Sequence, residues 1–112
     1  MARASTTSDA FNAVAEPRRR QILDAVALGE HSVGELVETL HVAQPVVSKH
    51  LKVLLDVDLV TVRAAGRQRL YRLNGAPLKS IHDWVQSYEQ SWTQAFDRMD
   101  IVVQELKSQE DQ

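Results

Sequence analysis

Residues 43–54, Ala-Gln-Pro-Val-Val-Ser-Lys-His-Leu-Lys-Val-Leu, carry the side chains best suited to chemistry with an anionic partner. At about 100° per residue, a helix here puts Val47, Leu51 and Leu54 on one stripe, with His50 at its edge. Pro45, Lys49, Lys52 and Asp56 fall on the opposite side, flanked by Ser48. One face is a core face; the other carries two cations and a small hydroxyl. That outer face suits the major groove of DNA, where Lys neutralises phosphate and Gln or Ser reads base edges. Alone, the pattern fits an ordinary solvated helix face better. The segments around it change that balance.

The net charge of −2 argues weakly against nucleic acid, but the charge is unevenly spread. Residues 44–73 hold six cations (Lys49, Lys52, Arg63, Arg67, Arg69, Arg72) against Asp56 and Asp58, a net +4. Residues 76–112 hold three cations against seven anions, a net −4. A basic middle and an acidic tail imply one surface for an anionic partner and another for something else. The 112 residues suffice for one domain with a modest core. The start has no signal-peptide core and no apolar run nears the roughly 18 residues of a membrane span, so no membrane association and a cytoplasmic location are expected. Cysteine is absent, which excludes disulfides, thiolate metal sites and a cysteine nucleophile. No Gly-rich phosphate loop and no recognisable Ser/His/Asp spacing occurs, so no enzyme activity and no cofactor are expected.

The elements that must position these side chains read as follows. Residues 1–7 are expected to be disordered, and Ser8 caps a short helix holding Phe11, Val14 and Ala15. Pro17 opens a second helix through Ile22, Leu23 and Val26, closed by Gly29 as a left-handed cap. Ser32 and Glu35 form a capping box for a third helix of about eight residues, burying Val33, Leu36, Val37 and Leu40. His41 to Ala43 makes a tight turn. Gln44 or Pro45 opens the fourth helix, which ends near Val57 with Asp58 left-handed. The period then changes: Leu59–Arg63 and Gln68–Leu73 read as a β-hairpin turning at Ala64-Ala65-Gly66-Arg67. Pro77 opens one long helix, with Ile81, Trp84, Val85, Tyr88, Trp92, Ala95, Phe96, Met99, Val102, Val103 and Leu106 on one stripe for about eight turns. Residues 108–112 read as a disordered tail. The expected fold is mainly α with a small β-hairpin: a winged helix-turn-helix over residues 8–75, with a dimerisation helix over residues 76–107 of the same domain.

Four blocks resemble ArsR/SmtB-type winged-helix repressors. They are Phe11-Asn12-Ala13-Val14-Ala15-Glu16-Pro17-Arg18-Arg19-Arg20-Gln21-Ile22-Leu23, Val33-Gly34-Glu35-Leu36, Gln44-Pro45-Val46-Val47-Ser48-Lys49-His50-Leu51 and Gly66-Arg67-Gln68-Arg69-Leu70-Tyr71-Arg72-Leu73. Each block is weak alone; their shared order and spacing over about residues 10–75 make the resemblance specific. It implies a homodimeric repressor that leaves a palindromic operator in double-stranded DNA when an effector binds. Two positions depart from the pattern. Ala43 replaces the usual N-cap Ser, at a cost of about 1 kcal/mol. Asp58 replaces the usual Gly at the end of the fourth helix.

The resemblance implies groove contact by Gln44, Ser48 and Lys49, with Gln44 pairing with adenine and Lys49 reaching guanine or phosphate. Pro45 and Lys52 join them on the helix, Lys52 toward phosphate. Arg67, Gln68 and Arg69 are the wing candidates. Strict alternation sends Arg69 and Arg72 to opposite faces, so one of them meets DNA. For Arg18, Arg19 and Arg20, DNA-backbone contact and a structural role, such as holding an acidic side chain, stand open.

Many relatives sense metals. The position of their Cys-x-Cys pair holds Ser32, Val33 and Gly34, which cannot replace it. On the last helix only His82, Asp83 and Glu89 occur, without the Asp-x-His and His-x-x-Glu spacing of the other family site. His31, His41 and His50 are scattered, and no metal site is assigned. A metal-responsive repressor using His31, His41 or His82 with carboxylates is the first alternative, and a protein-interaction module the second. The aromatic stripe is assigned to dimerisation through Phe11, Val14, Trp84, Val85, Tyr88, Trp92, Phe96 and Met99. An apolar small-molecule effector at that seam is the sharper reading.

Overall fold

Local capping explains where most of the helices start and stop. The computed structural model describes residues 6–110. Its order is α1 (Thr6–Val14), α2 (Pro17–Ala27), α3 (Val33–Leu40), α4 (Gln44–Asp56), β1 (Val60–Ala65), β2 (Gln68–Leu73), α5 (Leu78–Gln86) and α6 (Glu89–Glu110). The Glu16 carboxylate caps α2 by accepting from the Arg18 N–H at 2.9 Å, and Pro17 fills a position whose N–H would have no partner. The Ser32–Glu35 capping box forms as expected: the Ser32 N–H donates to Glu35 Oε1 at 2.9 Å, and the Glu35 N–H to Ser32 Oγ at 3.2 Å. Those bonds hold the Glu35 carboxyl below the usual carboxylate range.

The turn between α3 and α4 is set by His41, left-handed at φ 54°, whose N–H donates to Val37 O at 2.9 Å. At the far end of α4, Asp58 takes φ 62°. Its N–H donates to Leu55 O at 3.0 Å, and the Leu59 N–H donates to Leu54 O at 2.9 Å. These two bonds make a Schellman cap, with buried Leu54 and Leu59 as its apolar pair. Asp therefore does the work of the expected Gly.

The described chain forms two compact units, up to Ile81 and from His82 onward. The first contains the core. Ile22, Leu36, Val47, Leu51, Leu54, Leu59 and Val60 are its largest fully buried side chains. β1 and β2 pair antiparallel from Val60 with Leu73 to Ala65 with Gln68. Tyr71 and Val60 turn inward from this ribbon; Thr61, Arg63 and Arg72 turn outward. His31 adds a one-residue bridge on the free edge of β2, exchanging two backbone bonds with Tyr71 at 2.9 and 2.8 Å.

Several expectations are corrected. Ser8 lies inside α1, which starts at Thr6, so it does not cap it. Thr6 and Thr7 are helical; the rest of the expected 1–7 disorder, Met1–Ser5, lies outside the described residues. Gly29 has φ 158°, far from a left-handed cap, and α2 closes instead at Leu28 in the αR region, its N–H on Ala25 O. β1 runs through Ala65, leaving a two-residue turn: Gly66 at φ 63° and Arg67, a type II′ pattern that follows the strand twist better than a four-residue loop. The single long helix from Pro77 is two helices. The Ser87 hydroxyl donates to Trp84 O at 2.6 Å, and the Ser87 and Tyr88 N–H groups bond three residues back, at 3.2 and 3.0 Å. A side chain competing for a helical carbonyl tightens that turn and breaks the run. Residues 108–110 belong to α6 rather than a tail; Asp111 and Gln112 lie outside the described residues.

Candidate nucleic-acid interface

The exposed side of α4 is built from its buried side. Val47, Leu51 and Leu54 are fully or almost fully buried, which fixes the rotation of the helix and leaves Gln44, Pro45, Lys49 and Lys52 outside, with Ser48 half-buried. The Gln44 Nε2 donates to Ser48 Oγ at 2.8 Å, one turn along. That bond uses one amide proton and leaves the second, and the carbonyl, turned to solvent. Lys49 makes no ion pair among the described residues. Lys52 lies 3.5 Å from Asp56 Oδ2, both largely exposed, a contact too weak to hold the ammonium against a phosphate. The N-terminal end of α4 adds the positive end of the helix dipole beside Gln44.

Behind this face, Arg19 settles one question left open by the sequence. Its guanidinium donates to Ala13 O at 2.7 Å and Asn12 O at 3.3 Å, and lies 3.4 Å from His50 Nδ1. Arg20 donates to Val14 O at 2.7 Å and Ala15 O at 3.3 Å. Both cap the C-terminal end of α1, where carbonyls lack helical partners and the dipole is negative. Among the described residues no acidic side chain is their partner, so of the roles left open theirs is structural but through backbone carbonyls. Arg18 stays exposed, on Gln21 Oε1 at 3.2 Å. Burial, then the adjacent Arg19, pushes the His50 imidazole below its ordinary pKa, and the neutral ring accepts from the guanidinium.

On the hairpin, Arg67, Gln68 and Arg69 are exposed at and just after the turn. Arg67 and Arg69 make no ion pair among the described residues. Arg72 faces outward and donates to Thr61 Oγ1 at 3.1 Å. Arg69 and Arg72 thus diverge as alternation requires. A feature not foreseen lies midway along the hairpin: Arg63 binds Glu30 with a two-point fork, Nε to Oε2 at 2.6 Å and a terminal nitrogen to Oε1 at 3.0 Å. The partners are 33 residues apart, one in the loop between α2 and α3 and one on β1, so no spacing announces them.

The residues expected at a dimer seam divide between the units. Phe11 and Val14 are half-buried in the first, with Val14 packed on the core. In the second, Trp84 and Tyr88 make an edge-to-face contact, centroids 5.6 Å apart at 80°. Trp92 (51 % exposed), Phe96 (65 %), Met99 and Leu106 stand open on α6, while Val85 on α5 is half-covered. No His, Asp or Glu triplet forms a metal-binding cluster among the described residues. His31 Nδ1 is engaged with Gly29 O at 2.8 Å. No helix among the described residues is long and apolar enough to cross a membrane.

Comparison with known proteins agrees with this geometry. The model of the bacterial regulatory protein, arsR family, matches residues 16–62. The chain is 40 % identical to the HTH-type transcriptional regulator Rv2034 of Mycobacterium tuberculosis over 86 residues, 77 % of this chain and 78 % of that one. It is 27 % identical to the transcriptional repressor SdpR of Bacillus subtilis, over 72 % of this chain and 90 % of the relative. Among solved structures, an ArsR family transcriptional regulator superposes with TM-score 0.68 at 26 % identity, covering 83 % of this chain and 97 % of that one. The homodimeric winged helix-turn-helix DNA-binding domain Mb0332 of Mycobacterium bovis superposes with TM-score 0.62 at 28 % identity, covering 80 % and 91 %.

Proposed function

This chain belongs to the arsR family of bacterial regulatory proteins, as a transcriptional repressor with a winged helix-turn-helix DNA-binding domain and not an enzyme; from that premise we propose how it reads DNA and what releases it. It acts as a cytoplasmic homodimer on a palindromic operator, with α4 in the major groove and the hairpin as wing. Gln44, Pro45, Lys49 and Lys52 meet the groove and its phosphates, with Ser48 holding the Gln44 amide in place. Arg67, Gln68 and Arg69 meet the flanking backbone or minor groove. The observation that carries this reading is the outer face of α4, where Lys49, in no ion pair among the described residues, and a held Gln44 stand exposed over a fully packed inner face. The domain layout follows: residues 8–75 bind DNA, and the open apolar row of α6 covers its copy in the partner, spacing the two α4 helices about 34 Å apart.

Release comes from a non-metal effector that changes this spacing, an apolar small molecule at the aromatic seam. The support is the chemistry present: the family's cysteine position holds Ser32, Val33 and Gly34, whereas the α6 face is apolar and open. The test is fluorescence anisotropy on the protein's own promoter DNA at two salt concentrations, with chelator and then with zinc or nickel. Specific, salt-sensitive binding unchanged by metal is expected. Binding that collapses on adding metal would make the histidines ligands, and binding insensitive to sequence and salt would remove α4 as a reading helix.

A further inference from the structure

We propose that Glu30 and Arg63 form a brace that sets the angle of the wing, making both positioning residues for the Arg67–Gln68–Arg69 tip although neither touches DNA. The inference rests on the DNA-binding reading above and extends it to residues outside the expected contact set.

The geometry is that of a strap across a narrow ribbon. Arg63 lies on β1; His31, the neighbour of Glu30, pairs with the opposite edge of β2. The Arg63 guanidinium therefore crosses the outer face of β2 to reach Glu30, above a shallow cavity of about 160 Å³ lined by Thr61, Leu70 and Arg72. The fork fixes direction as well as distance, because two parallel bonds resist rotation where one would not. Each partner stabilises the charged form of the other, and Arg72 adds to the field on Glu30.

The ribbon needs such a strap. Two strands alone are marginally stable, and beyond Val60 and Tyr71 this hairpin leaves the core. β1 runs only two residues past Arg63, roughly 7 Å along the strand, before the Gly66–Arg67 turn, so a strap at Arg63 holds the ribbon close to the tip it positions. Electrostatics point the same way. Glu30 neutralises Arg63 midway along the ribbon, while Arg67 and Arg69 make no ion pair among the described residues. An arginine meant for phosphate would not be held in a two-point fork by a carboxylate.

The test compares wild type, E30Q, R63Q, E30Q/R63Q and the charge swap E30R/R63E on promoter DNA over a range of salt, with R67Q as a contact control. Each single variant should weaken binding about three- to five-fold. The double should be no worse than either single, and the swap should recover most of the loss. The slope of log affinity against log salt should stay at the wild-type value in these variants, whereas R67Q should reduce it by about one. Without DNA, amide exchange along residues 61–70 should quicken in E30Q while the amides of Leu36 and Leu54 keep their protection. A phosphate contact by Arg63 would instead lower the slope in R63Q and tighten binding in E30Q, overturning the brace. Unchanged affinity and exchange in the variants would overturn it alone. A wild-type chain that binds no promoter DNA would overturn the DNA-binding reading, and the brace with it.

Discussion

Removing the Ser48 hydroxyl should weaken operator recognition through Gln44 rather than through a contact of its own. Freezing a free Gln side chain costs up to about 1.5–2 kcal/mol. The 2.8 Å bond from Gln44 Nε2 to Ser48 Oγ meets part of that cost before DNA arrives, and a bond of this kind is worth about 0.5–1.5 kcal/mol net. Ser48→Ala should therefore lose about 0.5–1 kcal/mol, roughly two- to five-fold in affinity, without changing which base is preferred. Gln44→Ala should lose about 1–3 kcal/mol on the cognate site, roughly 5- to 150-fold, and much less on a site altered at the base pair Gln44 reads. The double variant should match Gln44→Ala alone, because Ser48 then has nothing to hold. Anisotropy titrations on cognate and single-base-pair variant duplexes, at one fixed salt concentration, measure all three. Losses that add would mean that Ser48 acts independently of Gln44. Equal loss on cognate and altered duplexes would mean that Gln44 reads no base.

The remaining expectations concern assembly and stability. Trp92→Asp places a charge in the open apolar row of α6 and should sediment as monomer; an intact dimer would move the interface off this helix. Leu54→Ala empties a fully buried site and should cost about 2–5 kcal/mol in urea unfolding, whereas Leu28→Ala, 90 % exposed, should stay within about 0.5 kcal/mol of wild type. Because His50 is held below its ordinary pKa when folded, the unfolded chain takes up that proton first as pH falls. Its contribution is thus present above the unfolded value near 6.5 and is lost as pH drops through it toward the folded value. His50→Gln should flatten that part of the stability profile, and an unchanged profile would mean that burial and the adjacent Arg19 do not hold the ring neutral.

Local rules were legible because the groups involved are near neighbours in the chain. The Ser32–Glu35 box, the left-handed Asp58 and the two faces of α4 each follow from residues within one or two turns. The break at Ser87 was not legible, since apolar steps of three and four persist through a single tightened turn, and nothing in that period reports a hydroxyl bonded to Trp84 O. The short wing turn was missed for a related reason: Ala64 and Ala65 favour neither strand nor loop, and only pairing with Arg69 and Gln68 makes them strand.

By itself, then, the sequence determined the element order through the hairpin and the rotation of α4 that exposes Gln44, Lys49 and Lys52, because periodicity and capping are written in local spacing, and four spaced blocks carried the family. Tertiary structure alone decided what the charged groups do. Of three adjacent arginines, Arg19 and Arg20 close the end of α1 while Arg18 stays outside. Arg63 is committed to Glu30, while Arg67 and Arg69, on the same hairpin, remain open. A long, flexible cation takes its role from whichever acceptor folding brings within reach, and that acceptor can lie 33 residues away.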